Sequence, residues 1–209
     1  MGITAVASVP QPPLLLPGRT GQPVAEVEQL RAACLAAIAT LTAVNPDVLV
    51  LAGQIRPVEV GEPLAAQVGE SLLASAGVTV PVRRVLLDSE ASPAECLAAG
   101  TEIADADERV GLLVLADGSA CRTVKAPGYL DERAVSFDDR LMASLQAADA
   151  DALAEVDPVL AQELLVAGRV GWQVLAGALR RSRHAWTATT HYTGDPFGVW
   201  YPVLSYRPA

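Results

Sequence analysis

The sequence predicts an α/β fold: a three-layer αβα domain with a mixed, mostly parallel central sheet and a C-terminal antiparallel hairpin. Three observations carry that reading. Residues 48–52 (VLVLA) and 110–116 (VGLLVLA) are unbroken apolar runs, the mark of strands buried on both faces. Between such runs, apolar residues recur at three- and four-residue spacing, so helices alternate with strands. The chain closes on a Thr-, Trp- and Tyr-rich stretch from His184 to Tyr206, broken by TGDPFG, which reads as two strands joined by a turn.

Taken in order, residues 3–9 (ITAVASV) form a short apolar strand that stops at Pro10. The PQPPLLLPG segment that follows carries too much proline for a helix or a central strand. A helix is expected over about 24–44, with Val27, Leu30, Cys34, Ile38 and Leu41 on one face. Asn45-Pro46 closes it. The second strand, 48–52, is expected to end at Gly53. A loop with Pro57, Gly61 and Pro63 leads to a helix over about 64–75 and a third strand over 82–87 (VRRVLL). Ser92-Pro93-Ala94-Glu95 is a capping box with proline at the first helical position, opening a helix to about 106. The fourth strand, 110–116, is followed by the loop DGSACRTVKAPGYLD. Two or three Ala/Leu-rich helices are expected over 134–180, one starting at Asp157-Pro158 and the pattern interrupted at Gly168 and Gly171. With neither repeat nor linker in view, residues 1–209 are expected to form a single domain.

Composition excludes several classes. Apolar residues are 51% of the chain and charged residues 19%, far from the composition of a disordered segment. Fifteen basic residues against 24 acidic ones give a net charge of −9. That argues against nucleic acid and against anionic membrane surfaces, since there is no cationic excess to displace counterions. No apolar run is long enough for a transmembrane helix, and the N-terminal segment lacks the basic start of a signal peptide. A cytoplasmic protein is expected. Cys34, Cys96 and Cys121 are odd in number, widely spaced and expected to be reduced.

In open α/β sheets, ligands sit outside the carboxyl ends of the strands. Three loops leave such ends: PQPP, GQIRP and DGSACR. The loop 117–131 is the densest in functional groups, with Asp117, Ser119, Cys121, Arg122, Lys125 and Tyr129. It is either a ligand-facing loop or a solvated turn. Cys121 is either a nucleophile activated by nearby cations or a small buried thiol. His184 and His191 lie seven apart, an odd separation that puts them on opposite faces of a regular strand, so they do not share a metal. Ser119 lacks the GxSxG elbow, and no phosphate-binding glycine motif occurs. Arg180-Arg181-Ser182-Arg183 is a basic run that complements a helix dipole.

Several segments together resemble the class III extradiol ring-cleavage dioxygenase superfamily, which includes the Memo-like proteins, and within it an alanine-rich actinobacterial branch. They are AVASVPQPPLLLPG, PDVLVLAG, LLVLADGSACRTVKAPGYLDERAVSFDDRL, LLVAGRVGWQVLAGAL and DPFGVWY. The resemblance implies the same αβα fold. It also implies a non-haem ferrous site made by two histidines and a carboxylate, with a further histidine as acid–base catalyst. Those residues do not carry over. The first histidine would fall at Gln11, the second near Gln54 to Arg56, the third ligand near Ala167 and the acid–base histidine near Ala120 to Arg122. None of these places holds a histidine or carboxylate. No metal and no cofactor is therefore expected.

Two functional readings follow. One is a non-catalytic relative that binds a small anionic ligand or a protein partner through Gln11, Gln54, Arg56, Asp117, Ser119, Arg122, Lys125 and Arg169. In it the arginines converge on one anion. The other is a metal-free enzyme using Cys121, Lys125 or Tyr129. A purely structural protein, docking a partner or assembling as a homo-oligomer through an exposed helical face, is a third.

Overall fold

A computed structural model of the protein describes residues 2–19, 22, 24–56, 61–182 and 184–209. Pro57 and Arg183, both named above, lie outside them. Six strands form one sheet: β1 (Gly2–Val9), β2 (Val48–Ile55), β3 (Val82–Asp88), β4 (Arg109–Leu115), β5 (Trp186–Gly194) and β6 (Tyr201–Pro208). Their order is β3-β2-β4-β1-β6-β5. The first four are mutually parallel, and β6 runs antiparallel to both β1 and β5. Helices α1 (Ala25–Thr42), α2 (Leu64–Ser75), α3 (Pro93–Ala104), α4 (Arg133–Ala147), α5 (Ala150–Ala154), α6 (Pro158–Glu163) and α7 (Arg169–Arg181) complete the chain. The expected αβα domain with its terminal hairpin is what forms.

The two helical layers are written in the strand alternation. On one face, Leu49, Leu51, Leu113, Leu115 and Val203 pack with Leu30, Cys34, Ile38 and Leu41 of α1 and Val68 and Leu72 of α2. On the other, Val50, Leu112, Val114, Leu204 and Tyr206 pack with Cys96 and Ile103 of α3, Phe137 and Leu141 of α4, and α7. Each fully buried leucine contributes about 2 kcal/mol by the area it removes from water. Ser92 caps α3 as expected: its hydroxyl accepts the Glu95 amide, while the Glu95 carboxylate accepts the Ser92 amide at 2.8 Å.

Three boundaries differ from expectation. Strand β2 runs through Gly53 to Ile55, because its pairing with β3 continues from Leu49 to Ile55. The segment 134–180 holds four helices rather than two or three; Asp149 and Asp157 each cap a short one by accepting two backbone amides. Gly171 does not interrupt a helix but lies inside α7, which is buried from Arg169 to Leu179.

A helix enclosed on every side needs neighbours that come close. A side-chain carbon at Gly100 of α3 would stand 2.0 Å from the Val174 carbonyl oxygen, and one at Gly177 of α7 would stand 2.2 Å from that of Leu97. The two helices therefore meet backbone to backbone. Gly100→Val and Gly177→Val are each expected to lower unfolding free energy by about 3 kcal/mol or more, measured by urea denaturation, through overpacking rather than any loss of contact.

Candidate functional site

The direction of the crossovers fixes the switch point, the place where open α/β sheets bind their ligands. The chain leaves β1 and β2 toward the face carrying α1 and α2, and leaves β4 toward the face carrying α4 and α7. Adjacent strands β1 and β4 thus send their loops to opposite sides, a topological switch point. Gln11 follows β1 there and Asp117 follows β4. The Gln11 backbone amide donates to Asp117 Oδ1 at 2.7 Å. The Gln11 side-chain Nε2 donates to the Ala167 carbonyl at 2.9 Å. Gly168, next in the chain, must lack a side chain, since a Cβ there would stand 2.6 Å from the Asp117 carbonyl oxygen. Two of the places where the resemblance would put metal ligands, Gln11 and Ala167, therefore touch.

The electrostatics of this point are unbalanced. Gln11 is 4% exposed, and its Oε1 is buried with no hydrogen-bond partner among the described residues. An orphan acceptor of this kind costs about 1–3 kcal/mol unless something donates to it. Burial pushes the Asp117 carboxyl up to about 7, against the Gln11 amide and the Arg56 charge, which pull it down. Asp117 in turn adds to the burial that raises the Tyr201 phenol and the Cys34 thiol, so these line the same side. Gln54 is half-buried on β2 opposite Leu87, and Arg56 is exposed at the end of that strand.

The expected cluster of arginines does not form. Arg169 is buried and points toward the end of β3, donating to Gln173 Oε1 at 2.8 Å and to the Ser89 carbonyl at 2.7 Å. Arg122 points the other way, donating to Asp138 Oδ2 at 3.0 Å and to Asp195 Oδ2 at 2.9 Å. Each guanidinium meets acceptors nearer than the crevice, and a charge so placed is held by its partners. Ser119 is turned inward as well: its hydroxyl donates to Asp138 Oδ2 at 2.6 Å and its amide to Asp138 Oδ1 at 3.0 Å.

The catalytic candidates are corrected on the same grounds. Cys121 is 2% exposed, and its thiol lies 3.4 Å from the Leu164 carbonyl, to which it donates. Burial, then Asp131 and Asp138, push its pKa up, the reverse of an activated thiolate. Lys125 and Tyr129 are exposed on the outer side of the loop. All three cysteines are free and buried.

Sequence reasoning missed Asp138. It is 1% exposed and gathers Ser119 and Arg122, pinning the loop 117–131 to α4 and, through Asp195, to the β5–β6 turn. Burial raises its pKa against those hydrogen bonds. Its signal was present: Ala134, Asp138, Leu141 and Leu145 recur at four, three and four residues, so the carboxylate sits within the apolar stripe of α4.

The arrangement does not fit a ferrous ion. A neutral amide oxygen and one carboxyl stand where two imidazoles and a carboxylate would be needed. Among the described residues, no group of three or more His, Cys, Asp or Glu comes together to hold a metal. His191 shares a 2.8 Å hydrogen bond with the Ser205 hydroxyl, and His184 is exposed ahead of β5. Two cavities of about 320 Å³ lie elsewhere, one at the amino ends of the strands beside Arg109, the other between α4 and α6. Among the described residues no helix is long and apolar enough to cross a membrane.

No protein-family model matches the chain, and no curated protein matches it. Among solved structures, that of the uncharacterized protein JW3007 from Escherichia coli K12 is similar, with a TM-score of 0.56 over 99% of this chain and 100% of that one. The two are 13% identical, so the likeness is one of fold.

Two outcomes follow from these carboxyls. Because the folded state raises the Asp117 pKa, its stabilising effect is full at acid pH and is lost as pH rises through about 7. Asp117→Asn should therefore match the parent chain near pH 4 and exceed it by about 2 kcal/mol near pH 8.5, read by urea denaturation, after allowance for partial solvation. Asp138→Ala should cost about 3 kcal/mol in the same assay, because it leaves Arg122 and the Ser119 amide without their buried acceptor.

Proposed function

We propose that the protein is a non-catalytic relative of the extradiol dioxygenase fold, a protein of the cytoplasm whose switch-point crevice binds a small polar molecule. The observation that carries this is the buried, unpartnered Gln11 Oε1 beside Asp117. Both groups are acceptors when Asp117 is ionised; among the described residues Asp117 meets the Gln11 amide and the Arg56 charge, and Gln11 Oε1 meets no donor. The ligand they suit is one that donates hydrogen bonds, a hydroxyl or an amine. The anionic ligand expected from the arginines is not favoured, since Arg122 and Arg169 are committed to acceptors elsewhere. The resemblance in AVASVPQPPLLLPG and LLVLADGSACRTVKAPGYLD supports the kinship, and Gln11 in place of a histidine supports the loss of the metal chemistry.

The test is nuclear magnetic resonance on the isotope-labelled chain, following the Gln11 side-chain amide and the Asp117 carboxyl. Ethanolamine and phenol, added to about 10 mM, are expected to shift both signals saturably, at an affinity consistent with very small ligands. Gln11→Met should abolish the response. Inorganic phosphate and acetate should leave the signals in place; a stronger response to phosphate, or none to either donor, overturns the reading.

A further inference from the structure

The carboxyl-end surface also carries a patch that the crevice does not use. Val124, Tyr129, Leu130, Leu165 and Phe197 are 67%, 74%, 53%, 49% and 52% exposed. The segments that carry them, distant in sequence, lie side by side. A side-chain carbon at Gly128 would stand 2.8 Å from Leu165 Cδ1, and one at Gly198 would stand 2.6 Å from both Thr123 Oγ1 and Ala126 Cβ. The Tyr129 amide donates to the Ala126 carbonyl. The 117–131 loop thus bridges Leu165 on one side and the Phe197 turn on the other.

The backbone of the patch is unusual. Five described non-glycine residues have positive φ, and three of them are Tyr129 at 61°, Leu165 at 54° and Phe197 at 67°. Bulky side chains rarely adopt this region, and such strain concentrates at sites of contact. Here it holds three large apolar groups outward, each in a position that glycine would fill without cost.

We propose that this patch is the contact surface of a homodimer, with a second copy of the chain as its occupant. The area argues for it. The five side chains expose on the order of 450 Å² of apolar surface, at the upper part of what a monomer usually shows. An interface of standard size takes about 800 Å² from each partner, a little over half of it apolar, which is close to this value. The charges argue for it too. Arg122, Lys125 and Arg133 border the patch and nearly balance Asp131, Glu132, Glu163 and Asp195, on a chain whose net charge is −9. A near-neutral rim suits a surface that meets its own copy across a two-fold axis, where a charged partner would find little to pair with. This inference stands apart from the ligand reading and does not depend on it.

Sedimentation of the full chain at about 100 µM tests it. The parent chain is expected to run as a dimer and to tighten as salt rises, because each copy repels the other through its net charge. The variant carrying Tyr129→Gly, Leu165→Gly and Phe197→Gly relieves the backbone while removing the patch. It should keep the parent's circular dichroism, run as a monomer, and weaken the dimer constant by at least about tenfold. Should that variant fail to fold, Leu130→Lys serves in its place, placing a charge in the contact without touching a left-handed position. A monomeric parent chain at that concentration overturns the proposal, as does a folded variant that still dimerises.

Discussion

The architecture depends on one constraint: α7 is buried from Arg169 to Leu179, and α3, the end of β4 and the Asp117 carbonyl reach it at backbone distance where glycines allow. Gly100 and Gly177 let α3 lie against it with nothing between the main chains. Gly168 lets its first turn reach the carbonyl of Asp117. The indole of Trp172 donates to the Ser8 hydroxyl of β1 at 3.1 Å, while its ring stands 6.2 Å from that of Trp200. From this seating come the positions of Ala167, which holds Gln11, and of Arg169, which is carried inward and away from the crevice.

That seating leaves an electrostatic imbalance at the switch point. A half-buried carboxyl and a buried amide oxygen meet there; among the described residues the carboxyl is compensated by a backbone amide and one nearby cation, and the amide oxygen has no donor. A core that seeks stability alone would place apolar atoms here. Elsewhere the chain is careful with its charges: Asp138 collects three hydrogen bonds, and Arg109 pairs with Asp47 at the amino ends of the strands. Asp138 is satisfied within the fold, whereas Gln11 Oε1 and the Tyr206 hydroxyl are buried with no hydrogen-bond partner among the described residues.

The sheet was legible because strands buried on both faces have no choice of residue. VLVLA and VGLLVLA announce themselves in the sequence, and the proline-rich segment after β1 marks a strand end. Topology pointed to the loops after the strands and so to Asp117, while Gln11 was singled out by the family resemblance. The fates of the arginines were not legible. Arg122 finds Asp195, 73 residues away, and Arg169 finds the carbonyl of Ser89, 80 residues away. Such pairings are chosen by tertiary packing among many acids of equal local merit. Asp138 was hidden for a different reason: a carboxylate within an apolar stripe reads as an imperfection of the stripe until the loop it anchors is seen. The run of Gly168 and Gly171 misled because glycine weakens an exposed helix, whereas α7 uses its glycines for close approach.

The three thiols offer a view of motion. Cys34 belongs to α1 on one face of the sheet, Cys96 to α3 on the other, and Cys121 to the loop that Asp138 anchors. All are covered, so a thiol reagent reaches each only when its own layer opens. Their labelling rates are then three clocks within one molecule. The loop clock runs fast if the Asp138 anchor releases by itself, and the two helical clocks run together if the layers part only when the whole sheet comes undone.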